Sequence, residues 1–150
     1  CIITTPYFAP DDAVLKAMRA AAGRGVTVKL VVPQYIDSLL VRYASRSFFS
    51  GLMEAGVEIY EFGDGLLHTK SITADGSIAM FGSVNLDYRS LWLNYEIALF
   101  FYGEDFTERL LAVQQAYIRR SARLDATLWN NRSTYRRFLE NLFRLLNPLL

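Results

Sequence analysis

The sequence is poor in the side chains that build covalent and metal sites. Its 150 residues hold one cysteine, Cys1, and one histidine, His68. That excludes an internal disulfide, a zinc centre made from several cysteine or histidine ligands, and any reaction within the chain that needs two imidazoles. No apolar run approaches the roughly 18 residues that a membrane-spanning helix requires. A leader-like N-terminal pattern, an internal repeat and a low-complexity linker are also missing. The chain starts at Cys1 and passes directly into the strand-like Ile2–Thr5, which reads as a segment excised from a longer polypeptide.

Apolar residues are plentiful, at 52% against 21% charged, so the composition is that of a folded globular chain. At this length a single core is expected, burying roughly 70% of the surface that the unfolded chain exposes. The formal net charge of +1 does not point to nucleic acid. Its distribution is uneven. Residues 1–118 are net −4, whereas residues 119–150 carry seven arginines against Asp125 and Glu140, net +5.

Strand-like runs at Ile2–Thr5, Val26–Val32 and Val57–Phe62 alternate with two helical patterns. The first helix is capped by Asp11-Asp12 and ends near Gly23 and Gly25. The second opens at Asp37 and closes at Gly56. Leu66–Ala74 and Ser77–Phe81 flank Asp75-Gly76, a hairpin turn, and Asn94–Phe101 reads as a further strand. A helix is expected over Glu104 to about Leu124, and a last one around Tyr135–Leu146, ended by Pro148. The expected class is α/β, a mixed β-sheet flanked by helices. Residues 1–126 are expected to form the main domain and 127–150 a basic amphipathic helical tail appended to it.

Polar chemistry concentrates between His68 and Glu96. Side chains alternate along a strand, so His68 and Lys70 project to one face, an imidazole beside an ammonium. Ser83 and Asn85 follow at the end of the next strand and offer a hydroxyl and an amide. Such a set suits a phosphodiester. Lys70 and Asn85 neutralise non-bridging oxygens, while His68 either attacks phosphorus or protonates the leaving alcohol. A buried carboxylate at Glu96 would hold the imidazole in one tautomer. Asp75, at a turn and of opposite strand parity, reads as structural.

The spacing His68-x-Lys70-(x)4-Asp75-(x)6-Gly82-Ser83-x-Asn85 resembles the HKD signature of the phospholipase D superfamily. Thr5-Pro6-Tyr7-Phe8-x-Pro10, Asn85-Leu86-Asp87-x-Arg89-Ser90 and Leu93-Asn94-x-Glu96 are similar to the C-terminal half of bacterial cardiolipin synthases. So is the ending Leu145-Leu146-Asn147-Pro148-Leu149-Leu150.

The resemblance implies a phospholipase D-like fold and transfer of a phosphatidyl group between two phosphatidylglycerol molecules through a phosphohistidine, without metal or other cofactor. It implies His68, Lys70, Asp75 and Glu96 as the catalytic set, with Ser83 and Asn85 as phosphate ligands. Relatives of this kind carry two HKD motifs, one histidine acting as nucleophile and the other, often that of the second motif, as acid and base. One motif is present here. The partners implied are therefore anionic phospholipids, a bacterial membrane surface, and either a missing N-terminal HKD half or a second copy of this chain. The alternative is a dimeric phospholipase D-type nuclease, for which the net −4 body is unsuited. In the tail, Arg119, Arg120, Arg123, Arg132, Arg136, Arg137 and Arg144, with Trp129, Tyr135 and the leucines, suit an interfacial helix on anionic lipid.

Overall fold

A computed structural model describes residues 1–145, apart from the side chain of Arg144. The expected helix end at Leu146, its stop at Pro148 and the chain's last residues lie outside the described residues. The elements run β1 (Ile2–Thr4), β2 (Phe8–Ala9), α1 (Asp12–Gly23), β3 (Lys29–Pro33), α2 (Leu39–Glu54), β4 (Glu58–Phe62), β5 (Ser71–Ala74) and β6 (Ile78–Gly82). They continue with β7 (Leu86–Asp87), α3 (Tyr88–Trp92), β8 (Ala98–Tyr102), α4 (Glu104–Arg119), β9 (Ser121–Arg123), α5 (Ala126–Asn130) and α6 (Thr134–Arg144).

Seven strands form one sheet in the order β8-β6-β5-β1-β3-β4-β9, and β2 pairs with β7 in a small second sheet. β1, β3 and β4 are parallel, while β5, β6, β8 and β9 join antiparallel. The mixed sheet read from the sequence is thus present. Both faces of its parallel strands are covered, because successive residues there are apolar. Ile3, Leu30, Val32 and Ile59 meet α1 and α2, whereas Ile2, Val31, Phe62 and Leu67 pack with Leu111, Tyr117 and Ile118 of α4. Asp11 caps α1 by accepting from the Val14 amide at 2.9 Å. The α2 cap is Ser38 rather than Asp37.

Four expectations differ. The strand expected over 66–74 joins the sheet only from Ser71. Its neighbour β1 ends at Thr4, with Pro6 beyond it, so residues 66–70 have no ladder partner on that side. The strand expected from Asn94 begins at Ala98. The long helix stops at Arg119, and Ser121–Arg123 instead extends the sheet by pairing with β4. Finally, the segment after residue 126 is not an appendage. Trp129 is buried in the main core against Phe49, and α6 packs along α2.

Candidate active site

Four residues in a row carry His68 and Lys70, and each is fixed differently. Leu67 is buried beneath the sheet's α4 face. His68 emerges into solvent, with its ring edge-on to Tyr7 at 6.4 Å between centroids. The Thr69 hydroxyl meets the Tyr117 hydroxyl at 3.0 Å. Lys70 turns back into the protein, and its Nζ donates to the His68 carbonyl at 3.1 Å. Burial pushes the Lys70 pKa down, and the charges of Glu96 and Asp87 oppose that shift. An ammonium held near carboxylates, with donors to spare, is suited to an anionic oxygen.

Helix α4 supports this segment from behind through a residue that periodicity passes over. Gln114 is fully buried. Its Nε2 donates to the Ser71 hydroxyl at 3.0 Å and to the Ile2 carbonyl at 3.2 Å, and its Oε1 accepts from Thr73 at 2.6 Å. Phe106 and Val113 are apolar residues of α4. Both are substantially exposed, and Thr107 and Gln114 are buried instead. A polar residue one turn from Leu110, Leu111, Tyr117 and Ile118 on the helix was the available clue.

Ser83 and Glu96 meet, but not around the imidazole. The Ser83 hydroxyl donates to Glu96 and accepts from the Ile97 amide at 3.0 Å, and Asn94 also donates to Glu96 at 3.4 Å. These bonds, led by that from Ser83, hold the Glu96 carboxyl below its ordinary pKa. Glu96 is partly exposed and makes no hydrogen bond to His68 among the described residues. The expected buried carboxylate on the imidazole is therefore corrected to a carboxylate on Ser83, and the Ser83 hydroxyl hydrogen is already committed. The loop that carries Glu96 lies against β6 because Gly82 has no side chain. A Cβ there would strike the backbone oxygen of Ile97.

Asn85 sits before α3, where Asp87 caps the helix by accepting from the Ser90 amide at 2.7 Å. The Asn85 Nδ2 donates to Ser90 Oγ at 3.3 Å, leaving Oδ1 buried without a partner. Two cavities flank Tyr7. A small one is bordered by His68 and Tyr35, and one of about 360 Å³ by Asn85, Ser90 and Arg89. Asp75 is elsewhere. It is exposed in the β5–β6 turn with φ +51, followed by Gly76 at φ +71, and makes no ion pair among the described residues. Seven residues of extended chain, roughly 20 Å, separate it from His68. The structure gives it a place in the hairpin turn, where a positive φ suits that geometry.

No group of three or more histidine, cysteine or acidic side chains able to hold a metal occurs among the described residues. Residues 1–117 match the family model described as cardiolipin synthase, PLD-like domain. The chain belongs to this family. Cardiolipin synthase A of Serratia proteamaculans is 54% identical over 149 residues, 99% of this chain and 31% of the relative. That of Yersinia pseudotuberculosis serotype O:3 is 52% identical with the same coverage. This cardiolipin synthase-like chain thus spans about a third of the length of the curated relatives it matches. Among solved structures, the phospholipase D family member Nuc from Salmonella typhimurium superposes with a TM-score of 0.71 at 21% identity, over 81% of this chain and 79% of that one. Phosphatidylserine synthase of Haemophilus influenzae gives 0.71 at 19%, over 99% and 41%. These likenesses show that the cardiolipin synthase-like chain has the phospholipase D fold.

Proposed function

We propose that this chain supplies one half of a phosphatidyltransferase site that converts two phosphatidylglycerol molecules to cardiolipin and glycerol. The observation that carries the reading is an exposed imidazole at His68 followed, two residues on, by an inward-turned ammonium at Lys70 that bonds the His68 carbonyl. The cardiolipin synthase A relatives supply the substrate class.

Chemistry at phosphorus then needs two imidazoles, and this chain has one. The second belongs to polypeptide outside these residues or to a second copy. One imidazole attacks phosphorus, and the bond to the glycerol headgroup oxygen breaks. The other, as imidazolium, gives that oxygen its proton. The now neutral base takes the proton from a hydroxyl of the second phosphatidylglycerol, whose oxygen displaces the phosphohistidine and releases cardiolipin. We assign His68 the acid–base role, with Lys70 and Asn85 toward the non-bridging oxygens.

The reading places the working enzyme at a bacterial membrane. No helix among the described residues is long and apolar enough to cross one. The test is incubation of the complete polypeptide bearing this chain with labelled phosphatidylglycerol, beside its His68→Asn form. The expected result is cardiolipin and glycerol from the first and neither from the second. Normal cardiolipin synthesis by the variant overturns the assignment. Cleavage of DNA without lipid turnover would replace the reading with a nuclease.

A further inference from the structure

Arg89 takes no part in the interactions around Lys70, Ser83 and Glu96, although it belongs to the same polar stretch, Asn85-Leu86-Asp87-x-Arg89-Ser90. It lies on α3, is exposed, and makes no ion pair among the described residues. It is the one cation on the wall of the cavity of about 360 Å³ beside Tyr7. The one acid there, Asp87, is buried and already committed, since its Oδ1 accepts from the Ser90 amide as the cap of α3. The rest of the wall offers donors. Ser38 Oγ accepts from the Val41 amide at 3.4 Å, which leaves its own hydrogen to give. Asn94 Nδ2 donates to Glu96 at 3.4 Å and carries a second hydrogen. An unpaired guanidinium with hydroxyl and amide donors around it suits an anionic oxygen.

Two contacts place this cavity against the reacting groups. Tyr7 borders it and also meets the His68 ring edge-on at 6.4 Å. Asn94 borders it and bonds Glu96, whose charge acts on Lys70. Lys70 and His68 themselves do not border it, so it lies next to a phosphate held by those residues. The cavity of about 410 Å³ at the start of β4 differs on each count. Its Arg123 is paired with Glu58 at 3.2 Å, and no residue of the candidate site borders it.

Transfer between two phosphatidylglycerol molecules brings two phosphodiesters to one site. The reacting one is assigned to Lys70 and Asn85. The other belongs to the acceptor, whose attacking hydroxyl is one glycerol unit away from its own phosphate. That phosphate keeps its negative charge throughout, so an acceptor held beside the phosphohistidine needs a second cation, whereas water needs none. A cavity of about 360 Å³ falls in the range of small-ligand sites and has room for a glycerophosphate unit.

We propose that Arg89, with Ser38 and Asn94 on the same cavity wall, binds the phosphodiester of the acceptor phospholipid and thereby selects a lipid alcohol over water. This rests on the phosphatidyl-transfer reading and adds the acceptor's place to it. The acceptor hydroxyl gives its proton to the neutral imidazole, its oxygen bonds phosphorus, and the phosphorus–nitrogen bond breaks. Water in the same position yields phosphatidic acid. Holding the acceptor by its phosphate raises the local concentration of its hydroxyl at phosphorus.

The test uses the complete polypeptide bearing this chain, labelled phosphatidylglycerol and added methanol. One phosphoenzyme then partitions among three acceptors, giving cardiolipin, phosphatidylmethanol and phosphatidic acid. Their ratio reports the acceptor step alone, whatever the rate of donor cleavage. Arg89→Gln should lower cardiolipin relative to phosphatidylmethanol by about tenfold, the loss of one charge-assisted hydrogen bond. Arg89→Lys should recover part of that ratio, because it restores the charge without the fork. Wild type should also use a short-chain glycerol phosphodiester about tenfold better than free glycerol at equal concentration, a comparison that needs no variant to fold. An unchanged product ratio in Arg89→Gln, whether or not total turnover falls, overturns the proposal. So does equal use of the two soluble alcohols. Failure of wild type to form any lipid product removes the transfer reading and this one with it, whereas lipid turnover with unaltered ratios removes this one alone.

Discussion

The ammonium of Lys70 donates to the main-chain carbonyl of His68 at 3.1 Å, so the cation proposed to bind phosphate also fixes the backbone that carries the imidazole. Burial lowers the Lys70 pKa. Between that lowered value and the ordinary one, the unfolded chain binds more protons than the folded chain, so stability rises with pH in that window. Lys70→Met removes the titration. Thermal melts from neutral pH up to the ordinary lysine range should show wild type gaining on the variant. A difference that stays flat would mean that the ammonium is not held in this way. Phosphatidyl transfer should fall by about a hundredfold or more.

An acid–base role for His68 makes a leaving-group prediction. A phosphodiester with an activated leaving group needs no proton on departure. The complete polypeptide with His68→Asn should therefore still accumulate a covalent phosphoenzyme from a nitrophenyl phosphodiester while failing on phosphatidylglycerol. Absence of the adduct from both substrates would make His68 the nucleophile.

Gln114 joins α4 to β1 and β5 one residue from Lys70. Replacing it with leucine keeps the volume but strands the hydroxyls of Ser71 and Thr73. The expected loss is about 3 kcal/mol, measured by denaturant unfolding.

Two glycines separate close approach from turn geometry. Gly82→Ala drives a Cβ into the backbone at Ile97 and should destabilise the chain by about 2 kcal/mol while displacing Glu96. Gly76 has φ +71 and open space, so Gly76→Asn should change stability by less than about 1 kcal/mol. Equal effects in unfolding experiments would contradict the contact at Ile97.

Glu140→Gln leaves Arg132 and Arg46 without the carboxylate they share. The expected cost is about 3 kcal/mol. Limited proteolysis should then cut within α6 sooner than in wild type.

Much of this protein was legible in one dimension, for a local reason. The parallel strands read as apolar runs because both faces are buried, and α1, with its Asp11 cap, obeys short-range rules. The Asp75-Gly76 turn was equally plain, since its two positive φ values are a property of those residues. The crowding of His68, Lys70, Ser83, Asn85 and Glu96 into one stretch was visible as spacing alone.

What each of those side chains touches was decided only in three dimensions. Pro6 sets where β5 can begin, because a ladder needs a partner on the neighbouring strand. Glu96 went to Ser83 because Gly82 lets β8 approach there. β9 exists because β4 offers an open edge. Gln114 and Glu140 are polar, yet both are buried, since a buried polar group is stable wherever partners distant in sequence satisfy it. The sequence by itself determined the elements and the chemical inventory. The tertiary structure decided the pairing, because hydrogen bonds and ion pairs between distant residues leave no periodicity to read.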